Sequence, residues 1–148
     1  MIALGLVAHA GSARAQGSAA PNAAGLAEVS IVGSDYAFLK PPPSIAAGKT
    51  LFSFENRGRV RHELSIALLQ PGVTVKEVME APAGQTTSRR FVESIVGILI
   101  ARPGESSGGR LFADLQHGRR YIIVCTLKDT PDAQRHAELG MVSSFDVP

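Results

Sequence analysis

The chain has 148 residues, the size of one domain, and 45% of them are hydrophobic against a formal net charge of only +2, which excludes intrinsic disorder. A single cysteine excludes a disulfide scaffold. The longest apolar runs, Ile2 to Ala8 and Ile95 to Ala101, fall far short of the roughly 18 residues of a membrane span, and fifteen cationic against thirteen anionic side chains do not make the basic excess of a nucleic-acid binder.

Residues 1–15 run from an apolar stretch into small residues and end in Ala13-Arg14-Ala15, the pattern of a secretory signal peptide, although no Lys or Arg precedes Arg14. Residues 16–26 read as a small-residue linker, leaving one domain over 27–148. The expected location is the periplasm or the exterior, which tends to oxidise an exposed thiol. Cys125 is then either buried and inert, or occupied.

From Glu28 onward the apolar pattern has a period near two, punctuated by Gly and Pro. Strand pieces are predicted at Glu28 to Val32 and Asp35 to Leu39, followed by an extended connection at Pro41-Pro42-Pro43. Lys49 to Glu55 alternates Leu51 and Ser53 on one face with Phe52 and Phe54 on the other, a half-buried strand. After the turn Asn56-Arg57-Gly58, an extended stretch resumes from Val60 to Leu68. One helix is predicted at Thr74 to Ala81, where Thr74 and Glu77 form a capping box and Pro82 stops the helix. Ile95 to Ala101 fits a buried strand or a short helix equally well. Residues 104–109 are a loop, and Arg110 to Leu115, Arg119 to Thr126 and Met141 to Val147 read as closing strands. Seven or eight short strands with one excursion helix give an all-β class, an antiparallel sandwich.

The strand Tyr121 to Cys125 places Tyr121, Ile123 and Cys125 on one face, so the thiol ends a core-facing row. Beyond it come His136 and, after four residues, Met141; far upstream, His62 follows the 56–58 turn. Two His, one Cys and one Met are the ligand set of a mononuclear blue-copper site. A thiolate donates strongly, two imidazoles complete a trigonal plane, and a thioether binds weakly along the axis. Taken singly, each residue also has a plain reading: Cys125 a buried hydrophobe, His62 a satisfied strand histidine, Met141 a core gap-filler. Their order and strand context favour the metal. His9 lies in the predicted signal and His117 in a turn, so neither is counted a ligand. Asn56 and Thr126 are candidates for outer hydrogen bonds, whereas Glu63 is read as facing solvent. Arg57, Arg59, Arg61, Arg89-Arg90 and Arg119-Arg120 read as a solvated surface rather than a steering rim.

These residues resemble the cupredoxin family over roughly Ala27 to Pro148. Asn56-Arg57-Gly58 leading to His62-Glu63 looks like the loop delivering that family's first histidine. Tyr121-x-Ile123-x-Cys125 looks like its penultimate strand, and His136-x(4)-Met141 with Val142 to Val147 like its last ligand loop and strand. The resemblance implies a Greek-key β-sandwich holding one copper ion, Cu(I)/Cu(II), with His62, Cys125 and His136 as equatorial ligands and Met141 axial. The chain departs from the pattern in the ten residues 126–135 between Cys125 and His136, where blue-copper proteins keep only a few. This insert is polar and turn-rich, and is expected to bulge outward while returning His136 to the site. It resembles small exported cupredoxin-like proteins with a similarly stretched loop.

The resulting expectation is an exported monomer passing single electrons between periplasmic partner proteins. Two alternatives stand beside it: copper storage or delivery to a donor or acceptor through the same ligands, and a metal-free binding module. Neither a nucleophile elbow Gly-x-Ser-x-Gly nor a phosphate-binding Gly-rich motif is present, so an enzyme is not expected.

Overall fold

The computed structural model of the chain describes residues 25–82, 85 and 89–148. The predicted signal segment and all of the linker but Gly25 and Leu26 lie outside the described residues. Among the described residues, eight strands and one short helix follow in chain order: β1 Ala27–Ser34, β2 Ala37–Phe38, β3 Gly48–Asn56, β4 His62–Leu69, α1 Val75–Met79, β5 Val92–Ala101, β6 Leu111–Leu115, β7 Arg119–Val124 and β8 Val142–Val147. They form two four-stranded sheets, ordered β2-β1-β3-β6 and β5-β4-β7-β8. The chain crosses between the sheets from β3 to β4, from β5 to β6 and from β6 to β7. This is the all-β, Greek-key type of sandwich expected from the strand spacing.

The core lies between the sheets because alternate residues of the facing strands point inward. Phe52 and Phe54 of β3 meet Leu64, Ile66 and Leu68 of β4, with Tyr121, Ile123 and Cys125 continuing the layer from β7. Tyr121 stacks on Phe145 of β8 with ring centroids 5.2 Å apart. A second, smaller cluster covers the outer face of the β4 sheet, where Val78 of α1 packs against Ala67, Leu69, Phe91, Val92 and Ile122. The predicted capping box is present: Glu77 N–H donates to the Thr74 hydroxyl oxygen, and the Glu77 carboxylate accepts from Thr74 N–H. The helix ends at Met79, before the predicted Ala81, because the residue preceding Pro82 is disfavoured in helical conformation.

Several elements differ from the sequence expectation. The pairing is not wholly antiparallel, since β1 runs parallel to β3, with Ile31 beside Phe54. Asp35 and Tyr36 form the turn between β1 and β2 rather than a strand, and Tyr36 has a φ of 61°. The segment 95–101 is a strand but not a buried one. It belongs to β5 at the edge of its sheet, and Ile95, Ile98 and Ile100 are exposed. Val60 and Arg61 stay in the loop before β4 because the Asn56 side chain captures the Val60 carbonyl.

Candidate metal centre

Three elements converge at one end of the sandwich. β4 begins with His62, Cys125 follows the last residue of β7, and the turn 136–140 carries His136 back before β8. Nδ1 of His62 and Nδ1 of His136 lie 3.0 Å apart, and Cys125 Sγ lies 3.3 Å from the latter and 3.9 Å from the former. All three side chains are buried. Metal–nitrogen and metal–thiolate bonds of about 2.0–2.3 Å, arranged in a trigonal plane, keep their donors roughly 3.6–3.8 Å apart. The observed separations bracket that range, so the donor set fits a small transition-metal ion in both chemistry and spacing.

Local folding explains how each donor reaches this point. The Asn56 carbonyl oxygen of the side chain accepts from Gly58 N–H at 2.8 Å, and its amide donates to the carbonyls of Val60 and Ala101. That buried amide therefore ties the turn before His62 to the end of β5. Cys125 N–H donates to the Met141 carbonyl at 3.1 Å, and Met141 N–H to the His136 carbonyl at 2.9 Å. The end of β7 and the turn that carries His136 thus share one backbone network. Met141 is fully buried in the same core cluster as Cys125. Its methyl end lies where a Cβ at Gly33 would come within 2.8 Å, so glycine at 33 leaves room for the thioether.

The insert between Cys125 and His136 is pinched at its base. His136 N–H donates to the Leu127 carbonyl and Ala137 N–H to the Cys125 carbonyl, both at 2.8 Å. Instead of only bulging outward, the loop turns Asp129 back onto the site, with Oδ1 3.0 Å from His136 Nε2. The Tyr36 hydroxyl donates to the other oxygen of the same carboxylate. Asp35, next in the chain, sits with Oδ1 4.0 Å from His62 Nε2, while Arg59 holds both its oxygens.

These surroundings set the protonation states. Burial, and then the neighbouring His136, pushes His62 below its ordinary value of 6.5, toward the neutral form that binds metals. Burial pushes the Cys125 thiol above 9.0, although Glu63 N–H, 3.4 Å from Sγ, favours the thiolate. The Tyr36 hydroxyl, then His136, holds Asp129 below the usual carboxylate range.

Sequence reasoning missed three residues of this environment. Glu63 does not face solvent: it is 5% exposed and accepts from Thr126 N–H and the Thr126 hydroxyl at 2.8 and 2.7 Å. Tyr36 and Asp129 carry no local signature, because their contact spans 93 positions. Asn56 bonds to Gly58, Val60 and Ala101, and Thr126 to Glu63, so the hydrogen bonds of these two residues run to the surrounding frame and not to the donor side chains themselves. The arginines do not all gather at the donor end. Arg57 pairs with Glu55, Arg59 with Asp35, Arg119 with Glu93 and Arg120 with Asp146, and the last two open the far end of β7.

No protein-family model matches the chain, and no curated protein matches it in sequence. Solved structures do match it, and what they share with it is the fold, a cupredoxin-like β-sandwich. Dithionite-reduced auracyanin from the photosynthetic bacterium Roseiflexus castenholzii superposes with a TM-score of 0.55 at 20% identity, covering 82% of this chain and 96% of that one. Auracyanin B gives 0.55 at 19% identity, over 82% and 88% of the two chains. Auracyanin A, described as a "blue" copper protein from Chloroflexus aurantiacus, gives 0.51 at 20% identity, over 84% and 100%. At this identity the likeness is one of fold.

Proposed function

We propose that the protein would hold one copper ion through His62, Cys125 and His136, with Met141 as a further, weaker donor, and work as an exported carrier of single electrons. The observation that carries this reading is the buried cluster of two imidazole Nδ1 atoms and one thiol within mutual reach, inside a cupredoxin fold. A bound copper supplies a one-electron couple, and the chain's residues favour such use. Imidazole suits both oxidation states, and sulfur donors favour the reduced one. A donor set fixed by backbone hydrogen bonds on both sides needs little rearrangement between them. All four side chains are 1% exposed or less, which keeps bulk water from the donors. A periplasmic redox protein is the partner class proposed, and no enzymatic step is assigned. Among the described residues no helix is long and apolar enough to cross a membrane.

Addition of equimolar Cu(II) to the purified protein tests the reading. An intense thiolate-to-copper charge-transfer band, absent in Cys125→Ser, is expected, together with a reversible couple in voltammetry. A featureless spectrum with no copper retained would overturn it. Copper that binds but exchanges electrons irreversibly would favour storage or delivery instead.

A further inference from the structure

The imidazole of His136 is 1% exposed, with Asp129 and Tyr36 standing against its outer edge. Its Nε2 faces Asp129 Oδ1 at 3.0 Å, and the opposite oxygen of that carboxylate accepts from Tyr36. The Tyr36 ring stands edge-on to His136 with centroids 5.0 Å apart, and reaches His62 at 6.1 Å. Tyr36 occupies this place with a φ of 61°, in the left-handed region that glycine or asparagine takes easily and a bulky side chain does not. A tight two-residue turn has no local need for tyrosine there. Strain of this kind persists where the surroundings over-determine it, and it gathers at working sites.

The two residues come from the two parts of the chain least expected to cooperate. Asp129 lies in the insert that lengthens the Cys-to-His connection, and Tyr36 in the β1–β2 turn of the other sheet. Together they close a chain from phenol to carboxylate to imidazole. An anionic carboxylate accepts only, so its partner nitrogen must carry the hydrogen. The Nε2–H tautomer leaves the Nδ1 lone pair free, and Nδ1 is the atom facing Cys125 and His62. Carboxylates placed this way behind a ligating histidine fix its tautomer and ring orientation.

We propose that Asp129 and Tyr36 are positioning residues that clamp His136, holding it in the Nε2–H tautomer and closing its outer edge against competing small ligands. The clamp rests on the copper reading for its purpose, but its geometry belongs to the metal-free chain. The insert is therefore the segment that supplies the clamp rather than a tolerated excess of loop.

Two-dimensional 15N–1H NMR of the metal-free protein, at mildly alkaline pH, reads the tautomer directly. Wild type is expected to show His136 as Nε2–H alone. Asp129→Ala is expected to mix the tautomers, weaken copper binding about 10- to 100-fold, and let added azide alter the visible spectrum, whereas the wild-type spectrum is expected to stay unchanged with azide. Asp129→Asn restores an acceptor and should recover most of the affinity. Tyr36→Phe keeps the ring and loses the hydroxyl, and should give an intermediate tautomer mixture. Unchanged tautomer and affinity within twofold in Asp129→Ala or Tyr36→Phe would overturn the clamp. Failure of wild type to take up copper would instead sink the copper reading, while the metal-free tautomer measurement would still decide the clamp.

Discussion

A Cβ at position 58 would lie 2.7 Å from Asp35 Oδ1 and 2.9 Å from His62 Nε2. Arg59 pins that carboxylate and the imidazole is buried, so neither can retreat freely. Gly58→Ala is therefore expected to displace His62 and weaken copper uptake by about tenfold or more, measured by competition with a chelator of known affinity. Glu63→Ala removes the acceptor of two Thr126 bonds and should cost about 2 kcal/mol in urea unfolding of the metal-free protein; loss under 0.5 kcal/mol would contradict the role given to Glu63. His62, lowered by burial, makes the metal-free fold sensitive to acid. Below about 6.5 the unfolded chain takes up a proton that the folded chain refuses, so stability present above that value falls as pH drops toward the depressed one. Cys125 acts in the opposite sense, and its contribution is lost as pH rises beyond 9.0. The Tm of the metal-free protein should therefore fall on both sides of a neutral plateau; a Tm that rises on acidification below 6.5 would contradict the buried, neutral His62. His62, Cys125 and His136 were legible as candidates because their side-chain chemistry names the metal class. Glu63, Tyr36 and Asp129 were not, because their roles come from contacts between segments distant in sequence.

At the scale of elements, period-two alternation identified the strands but not their neighbours. Lys49 to Glu55 reads as half-buried from its own pattern, and Phe52 and Phe54 are fully buried. Nothing in that pattern says that β1 will lie beside β3 in parallel, since side-chain period is the same in either direction. β5 was ambiguous for a different reason. Its continuous apolar run mimics a buried strand, but it sits at a sheet edge and pairs with β4 through two register shifts. The pair Leu64 and Ile98 measures the difference, since the first is fully buried and the second 51% exposed on the neighbouring strand. Leu64→Ala should cost about 2–5 kcal/mol by denaturant unfolding, and Ile98→Thr no more than about 0.5 kcal/mol. Equal costs would mean that β5 is covered in solution.

For the molecule as a whole, the sandwich separates a donor end from a structural end. β7 carries Arg119 and Arg120 at its start and Cys125 just past its finish, roughly 20 Å away at about 3.3 Å per residue. The paired arginines and the Tyr121–Phe145 stack hold the far end, while buried donors, Asp35, Tyr36 and Asp129 occupy the near one. Metal bound by the folded state alone raises stability by mass action, about 2.7 kcal/mol at free copper a hundredfold above Kd. Wild type should gain that stability and Cys125→Ser should gain little. X-ray absorption at the copper edge reads the donors themselves. One copper is expected with a first shell of two nitrogens and one sulfur at about 2.0–2.3 Å, the sulfur lost in Cys125→Ser. A shell of nitrogen and oxygen alone in the wild-type protein would contradict that donor set.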